Sequence, residues 1–265
     1  MERYFDTHAH INTEPFILDI DKTLEEAINE GIDKIGCVGF DLDSNKKALE
    51  ICKAYPNNVY AIIGLHPCEL NGLNDSHLNE LEQLLDNENV VALGEIGLDY
   101  YWDNIDRNIQ KDFFRKQINI AKKKGLPIVI HTRDAIQDTF DILKEEGLDN
   151  IDCIMHSYSG SLEMAKEFLK LGCYLSFSGV LTYKNARALK EVASYAPLDK
   201  ILIETDCPYL TPVPFRGKTN YPQYVKYVAK EIALLKEISE EEVSNQTYLN
   251  ALRVFKIKEG GSVDE

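Results

Sequence analysis

Eight short runs of β-branched and other apolar residues, each followed by a stretch with helical spacing, leave this chain few folds to choose from. The runs fall at 3–8, 34–40, 59–65, 90–96, 126–131, 151–156, 173–178 and 200–205. Between them, segments such as 21–30, 76–86, 106–124 and 161–171 carry apolar residues three and four apart. Gly31, Gly125, Gly147 and Gly172 stand where helices should be capped at their C-termini. Runs without polar alternation belong to strands covered on both faces, the condition of a parallel sheet with helical crossovers. Eight such units in 265 residues predict an α/β fold, a single-domain (β/α)8 TIM-type barrel over residues 1–258, with a frayed tail at 259–265. An open doubly wound sheet is the rival. It would carry a glycine-rich loop after the first strand, and FDTHAHIN contains no glycine.

Composition narrows the function classes. No apolar run is long enough to span a membrane, and no basic region followed by an apolar stretch opens the chain. The six cysteines form no Cys-x-x-Cys pair and mostly lie in strand-like runs, which predicts buried free thiols and a cytoplasmic protein. A formal charge of −15 argues against a broad basic face for duplex nucleic acid. It leaves room for a pocket that admits a few phosphates. No obligate protein partner is expected.

The polar residues fall in one place. Catalytic groups of a (β/α)8 barrel sit at the C-terminal ends of its strands. Here the first run ends in His8 and His10, the third in His66, the fourth in Glu95, the fifth in His131, the sixth in His156 and the eighth in Glu204 and Asp206. Five of the six histidines therefore share one rim; His77 alone lies in a helical stretch. Asp6, His8 and His10 alternate, so a strand points all three to one side. Imidazoles with carboxylates and no thiolate pattern suit Zn²⁺, Mn²⁺, Fe²⁺ or a Mg²⁺-class ion. Four histidines and two carboxylates are too many for one tetrahedral site with an open position, and suit two divalent ions. His8, His10 and Asp206 are placed around one, His131 and His156 around the other, with Glu95 as the bridge. Asp206 doubles as the proton acceptor.

Asp6 and Glu204 are read as partners of the ligands rather than ligands. Arg133 faces the same side as His131 and is a candidate for an anionic substrate group; an ion pair with Asp134 or Asp138 is the alternative. His66 is a candidate phosphate donor, with the capping of a strand end as the alternative. Arg216, Lys218 and Asn220, in the loop after the last strand, are candidate anion contacts in an otherwise acidic protein, with solvated surface as the alternative. Tyr100, Tyr101 and Trp102 follow Glu95 and either stack on a base or pack a helix start.

Taken in order, YFDTHAHIN, GLHP, GEIGLDYYW, PIVIHTRDA, HSYSG, ILIETDCPYL and RGKTNYP resemble the TatD family of metal-dependent deoxyribonucleases from residue 3 to about residue 225. The chain departs from the family pattern at Gln137 and Ser157. The resemblance implies a (β/α)8 barrel, two metal ions held by His8, His10, Glu95, His131, His156 and Asp206, and phosphodiester cleavage. That activity is often a 3′→5′ exonuclease on single-stranded DNA ends; Asp206 and Glu95 are read as its catalytic residues. Similar proteins also include deacylases of mischarged transfer RNA, which keeps ester or amide hydrolysis as the alternative. Amide hydrolases on this barrel commonly bridge their metals with a modified lysine at strand four; Glu95 stands there instead. A closed, purely structural metal site is the non-enzymatic alternative.

Overall fold

The computed structural model describes residues 2–102 and 104–258; the tail expected at 259–265 lies outside them. Eight strands run in sequence order, all parallel: β1 (Tyr4–Ala9), β2 (Ile32–Val38), β3 (Val59–Ile63), β4 (Val90–Asp99), β5 (Ile128–Arg133), β6 (Cys153–Met155), β7 (Tyr174–Phe177) and β8 (Ile201–Ile203). The circle closes just beyond β8. Ala9 bridges Cys207, the Asp206 amide donates to the His8 carbonyl at 2.8 Å, and the His10 amide donates to the Cys207 carbonyl at 2.9 Å. Closure removes the sheet edges and makes this the predicted (β/α)8 barrel.

Helices α1 (Ile20–Asn29), α2 (Leu42–Ala54), α3 (Asp75–Leu84), α4 (Arg107–Lys124), α5 (Ile136–Glu146), α6 (Leu162–Lys170), α7 (Arg187–Tyr195) and α8 (Val225–Lys236) surround the strands. The main core lies between strands and helices. A second cluster joins Ile62, Val91, Val129, Ile154, Tyr174 and Leu202 to Tyr248, Ala251, Leu252 and Phe255, where α9 (Glu240–Val254) plugs the barrel floor. Among the described residues no helix is long and apolar enough to cross a membrane. All six cysteines are free thiols, and only Cys68 is not fully buried.

α4 shows how local sequence becomes position. Asp106 caps its first turn by accepting from the Asn108 amide at 2.8 Å, and Gly125 ends it in the left-handed region, where glycine carries no Cβ penalty. Its buried face carries Phe113, Phe114, Ile118 and Ala121, but also Gln110 and Gln117, two turns apart. Gln117 bonds both the amide and the carbonyl of Leu65, beyond the end of β3. Gln110 does the same for Asp99, the last residue of β4. One helix thus fixes the ends of two neighbouring strands, those that carry His66 and Glu95. β4 itself runs three residues past the predicted end at 96, through Gly97 to Asp99.

Candidate metal centre at the barrel rim

The predicted residues converge on Glu95. Its Oε1 lies 2.8 Å from His131 Nδ1, 3.4 Å from His156 Nε2 and 3.7 Å from His66 Nε2. Its Oε2 lies 3.5 Å from His8 Nε2 and 3.9 Å from His10 Nε2. Asp206 Oδ1 joins the second group, 3.3 Å from His10 Nε2 and 3.7 Å from His8 Nε2. Five histidines thus divide between the two oxygens of one buried carboxylate. Asp206 holds φ at +56°, a conformation aspartate tolerates better than most residues, and it does so where the chain crosses from β8 to meet β1.

The outward ring nitrogens explain why the inward ones face Glu95. His10 Nδ1 donates to the Val38 carbonyl at 3.1 Å, leaving the Nε2 lone pair toward Glu95 and Asp206. His131 Nε2 lies 2.9 Å from Asp99 Oδ2, and His156 Nδ1 lies 2.8 Å from Glu204 Oε1. Metal-binding imidazoles are commonly oriented by such an acceptor on the far nitrogen. His66 is built the other way: its Nδ1 accepts from the Cys68 amide at 3.1 Å, so a neutral ring carries its proton on Nε2, toward Glu95. That orientation suits His66 to donate, while its ring also lies close enough to Glu95 and His131 to share a metal ion with them. His8 is 1% exposed, neither of its ring nitrogens has a hydrogen-bond partner, and its ring stacks on His156 at 3.7 Å. A buried imidazole with both nitrogens unpartnered is costly unless something else meets it. The donor set and this orphaned ring fit divalent metal ions.

Burial alone would raise Glu95, but the imidazoles around it, His156 foremost, hold its carboxyl well below the usual range. Burial would likewise raise Asp206, yet His10, His156 and His8 hold it low. Burial would lower His156, but Glu204, Glu95 and Asp206 outweigh it and push the ring up to about 10. Without a metal these carboxylates keep protons on the neighbouring rings, and a metal ion would have to displace them to bind. His66 is pushed down to about 3 by burial and by His131, so it is neutral at working pH.

The remaining predicted residues divide. Asp6 is fully buried and accepts from the amide and hydroxyl of Thr205, tying β1 to the chain beyond β8. Glu204 accepts from the Ser157 amide and the Ser176 hydroxyl while facing His156. Both tie down segments that carry candidate ligands, and Glu204 itself lies close enough to His8 and His156 to join them around an ion. Arg133 forms no ion pair with Asp134 or Asp138; its guanidinium lies 3.6 Å over the Tyr101 ring, and Asp138 pairs with Lys111 instead. Arg216 is exposed and lies 4.3 Å over the Tyr183 ring, and Lys218 is exposed. Asn220 corrects the prediction of an anion contact. It is fully buried, and its amide donates to the Thr205 and Tyr209 carbonyls, leaving nothing to offer a substrate. Tyr100 is half-buried and bonds Asp138, whereas Tyr101 and Trp102 are exposed. Two residues escaped sequence reasoning. Asp99 orients His131, and Glu95, Gly97 and Asp99 alternate as one face of a strand would. Tyr209 is 61% exposed with its ring 6.2 Å from His10, and nothing in the sequence singles it out.

A (β/α)8 barrel with an imidazole–carboxylate cluster at its C-terminal rim is the architecture of a metal-dependent hydrolase. The family model described as TatD related DNase matches residues 5–256. The chain belongs to the TatD family. It is 49% identical over 253 residues to the metal-dependent hydrolase YabD of Bacillus subtilis, covering 96% of this chain and 99% of that protein. It is 37% identical over 255 residues to the metal-dependent hydrolase YcfH of Escherichia coli K12, covering 95% of each. The crystal structure of YJJV, a TatD homolog from Escherichia coli K12, matches with a TM-score of 0.91 at 30% identity over 97% of this chain and 99% of that one.

Proposed function

We propose that the chain is a two-metal phosphodiesterase that removes nucleotides from single-stranded DNA, acting 3′→5′ in the cytoplasm. One observation carries the reading: the two oxygens of Glu95 face separate histidine groups, so this carboxylate could serve two ions. His8, His10 and Asp206 would hold one ion, His131 and His156 the other, with Glu95 common to both. Divalent ions held there would stabilise charge developing on the phosphoryl oxygens and make water a usable nucleophile at neutral pH.

The chain's own groups do the rest. Asp206, kept ionised by its imidazole neighbours, accepts the proton of the attacking water. The water oxygen bonds to phosphorus, the bond from phosphorus to the 3′ oxygen of the upstream nucleoside breaks, and that oxygen takes a proton from solvent. His66 Nε2–H donates to a non-bridging oxygen, where charge builds most. Arg133, Arg216 and Lys218 supply positive charge around the mouth of a chain whose net charge is −15.

The test is digestion of a 5′-labelled single-stranded DNA by metal-stripped protein, with Mg²⁺, Mn²⁺ or Zn²⁺ returned separately and Asp206→Asn as control. The expected result is a metal-dependent ladder shortening from the 3′ end, lost in the variant. Cleavage of aminoacyl-transfer-RNA or simple esters without any cleavage of DNA would reassign the bond and refute the nuclease reading.

A further inference from the structure

Exposed aromatic rings are unevenly placed on this protein. Among the described residues four are more than half exposed: Tyr101, Trp102, Tyr195 and Tyr209. Three of them sit at the metal-bearing rim. Tyr101 and Trp102 follow β4 beside its seam with β5, where Asp99 pairs in register with Arg133. Tyr209 follows β8 beside its seam with β1, against His10. In a closed barrel of eight strands in sequence order, those two seams are diametrically opposite. The rings therefore flank the metal cluster from both sides of a mouth about 15 Å across, the width that eight tilted strands enclose.

Both sides are anchored rather than loose. Asp99 Oδ1 accepts from the amides of Tyr101 at 3.0 Å and Trp102 at 3.2 Å, while its other oxygen meets His131. The Tyr209 carbonyl accepts from the buried Asn220 amide, and its own amide donates to the Asp206 carbonyl at 2.9 Å. On each side a fully buried polar side chain fixes the backbone of the exposed ring, next to a metal-site residue. On the β4 side Tyr101 and Trp102 meet edge to face at 4.9 Å, with the Arg133 guanidinium over Tyr101. Rings beside a cation, over a hydrolytic centre, suit stacking bases joined by phosphates.

We propose that Tyr101 and Trp102 on one side, and Tyr209 on the other, form a two-walled base-stacking clamp across the barrel mouth, so that the site takes a single-stranded nucleic acid with bases on both sides of the scissile phosphate. The proposal rests on the phosphodiesterase reading, and the experiment separates the two.

Trp102 is the chain's only tryptophan, so its fluorescence reports the wall directly. The Mg²⁺-loaded full-length protein is mixed rapidly with an oligothymidylate, or with an oligonucleotide of equal length and charge lacking bases, and cleavage is followed in parallel. The expected result is a saturable quench by the base-bearing strand and little by the abasic one. Trp102→Ala and Tyr209→Ala should each raise KM for the base-bearing strand about tenfold with a much smaller change in kcat. Tyr209→Phe should restore most of the affinity. Tyr195→Ala, whose ring lies away from the rim, should leave KM unchanged. Cleavage without quenching, or equal KM increases for both strands, overturns the clamp and leaves the hydrolase reading standing. Quenching without cleavage under any metal upholds the clamp and overturns the phosphodiesterase reading. Neither quenching nor cleavage overturns both.

Discussion

Asp99 gives the sharpest test of how the site is held. Asp99 is 1% exposed, and its carboxylate meets His131 Nε2 at 2.9 Å, the Tyr101 amide at 3.0 Å and the Trp102 amide at 3.2 Å, with the Cys68 thiol also against it. Asp99→Asn keeps the shape, and the amide oxygen can still accept from both backbone amides. The contact that reverses is the one with His131. An NH₂ group now faces Nε2, so a neutral His131 must surrender that proton and carry it on Nδ1. Nδ1 is the nitrogen 2.8 Å from Glu95 Oε1, the one the second ion needs. The expected loss is about 10- to 100-fold in affinity for one of the two ions, the usual effect of removing an orienting partner. The fold should lose only about 1.5–3 kcal/mol, the worth of one hydrogen bond to a charged group, or on the order of 5 °C in Tm. Asp99→Ala, which leaves three buried or half-buried donors without an acceptor, should lose about 3–5 kcal/mol. Titration of metal-stripped protein against a chromogenic chelator measures both affinities, and a thermal melt separates binding from stability. If Asp99→Asn takes up two ions as tightly as the unaltered chain, His131 does not ligate through Nδ1, and the oriented-imidazole reading of the site fails.

Two further outcomes follow from the same geometry. His66→Ala should lower kcat about 100-fold while leaving metal content intact, because the ring is a donor with its proton on Nε2; loss of an ion in that variant, measured by elemental analysis, would make it a ligand. Gly97→Ala should melt on the order of 10 °C lower and bind metal poorly, since φ is +140° and a Cβ would stand 2.0 Å from the His131 carbonyl oxygen. Gly72→Ala, at φ +74° but with open space around it, is the control and should lose only about 1 kcal/mol; equal melting of the two variants would show that β4 and β5 tolerate separation at this point.

What could be read from the sequence follows the two-residue period of a strand, and what could not be read lies beyond it. His131, His156 and Glu204 each stand two positions after an apolar floor residue, Val129, Ile154 and Leu202. One parity therefore carries the plugged floor at one end and the polar rim at the other, and both ends are visible in a single run of residues. Asp99 obeys the same parity from Glu95, but Gly97 between them looks like a strand terminator. Its role is to let the His131 backbone pass close, which only the pairing of β4 with β5 reveals. Asn220 was misplaced for a related reason. In sequence it stands among exposed Arg216 and Lys218, whereas its burial depends on Thr205 and Tyr209, reached across the turn that leaves β8. The ties that aim the ligands span 52 residues from Gln117 to Leu65 and 199 from Asp6 to Thr205. A local pattern can therefore name the groups that meet an ion. The groups that hold them in register belong to the closure of the barrel, where Asp6 joins the first strand to the chain beyond the last. That is why substitutions at Asp99, Gly97 and Asp6 should disturb metal binding as surely as those at the histidines.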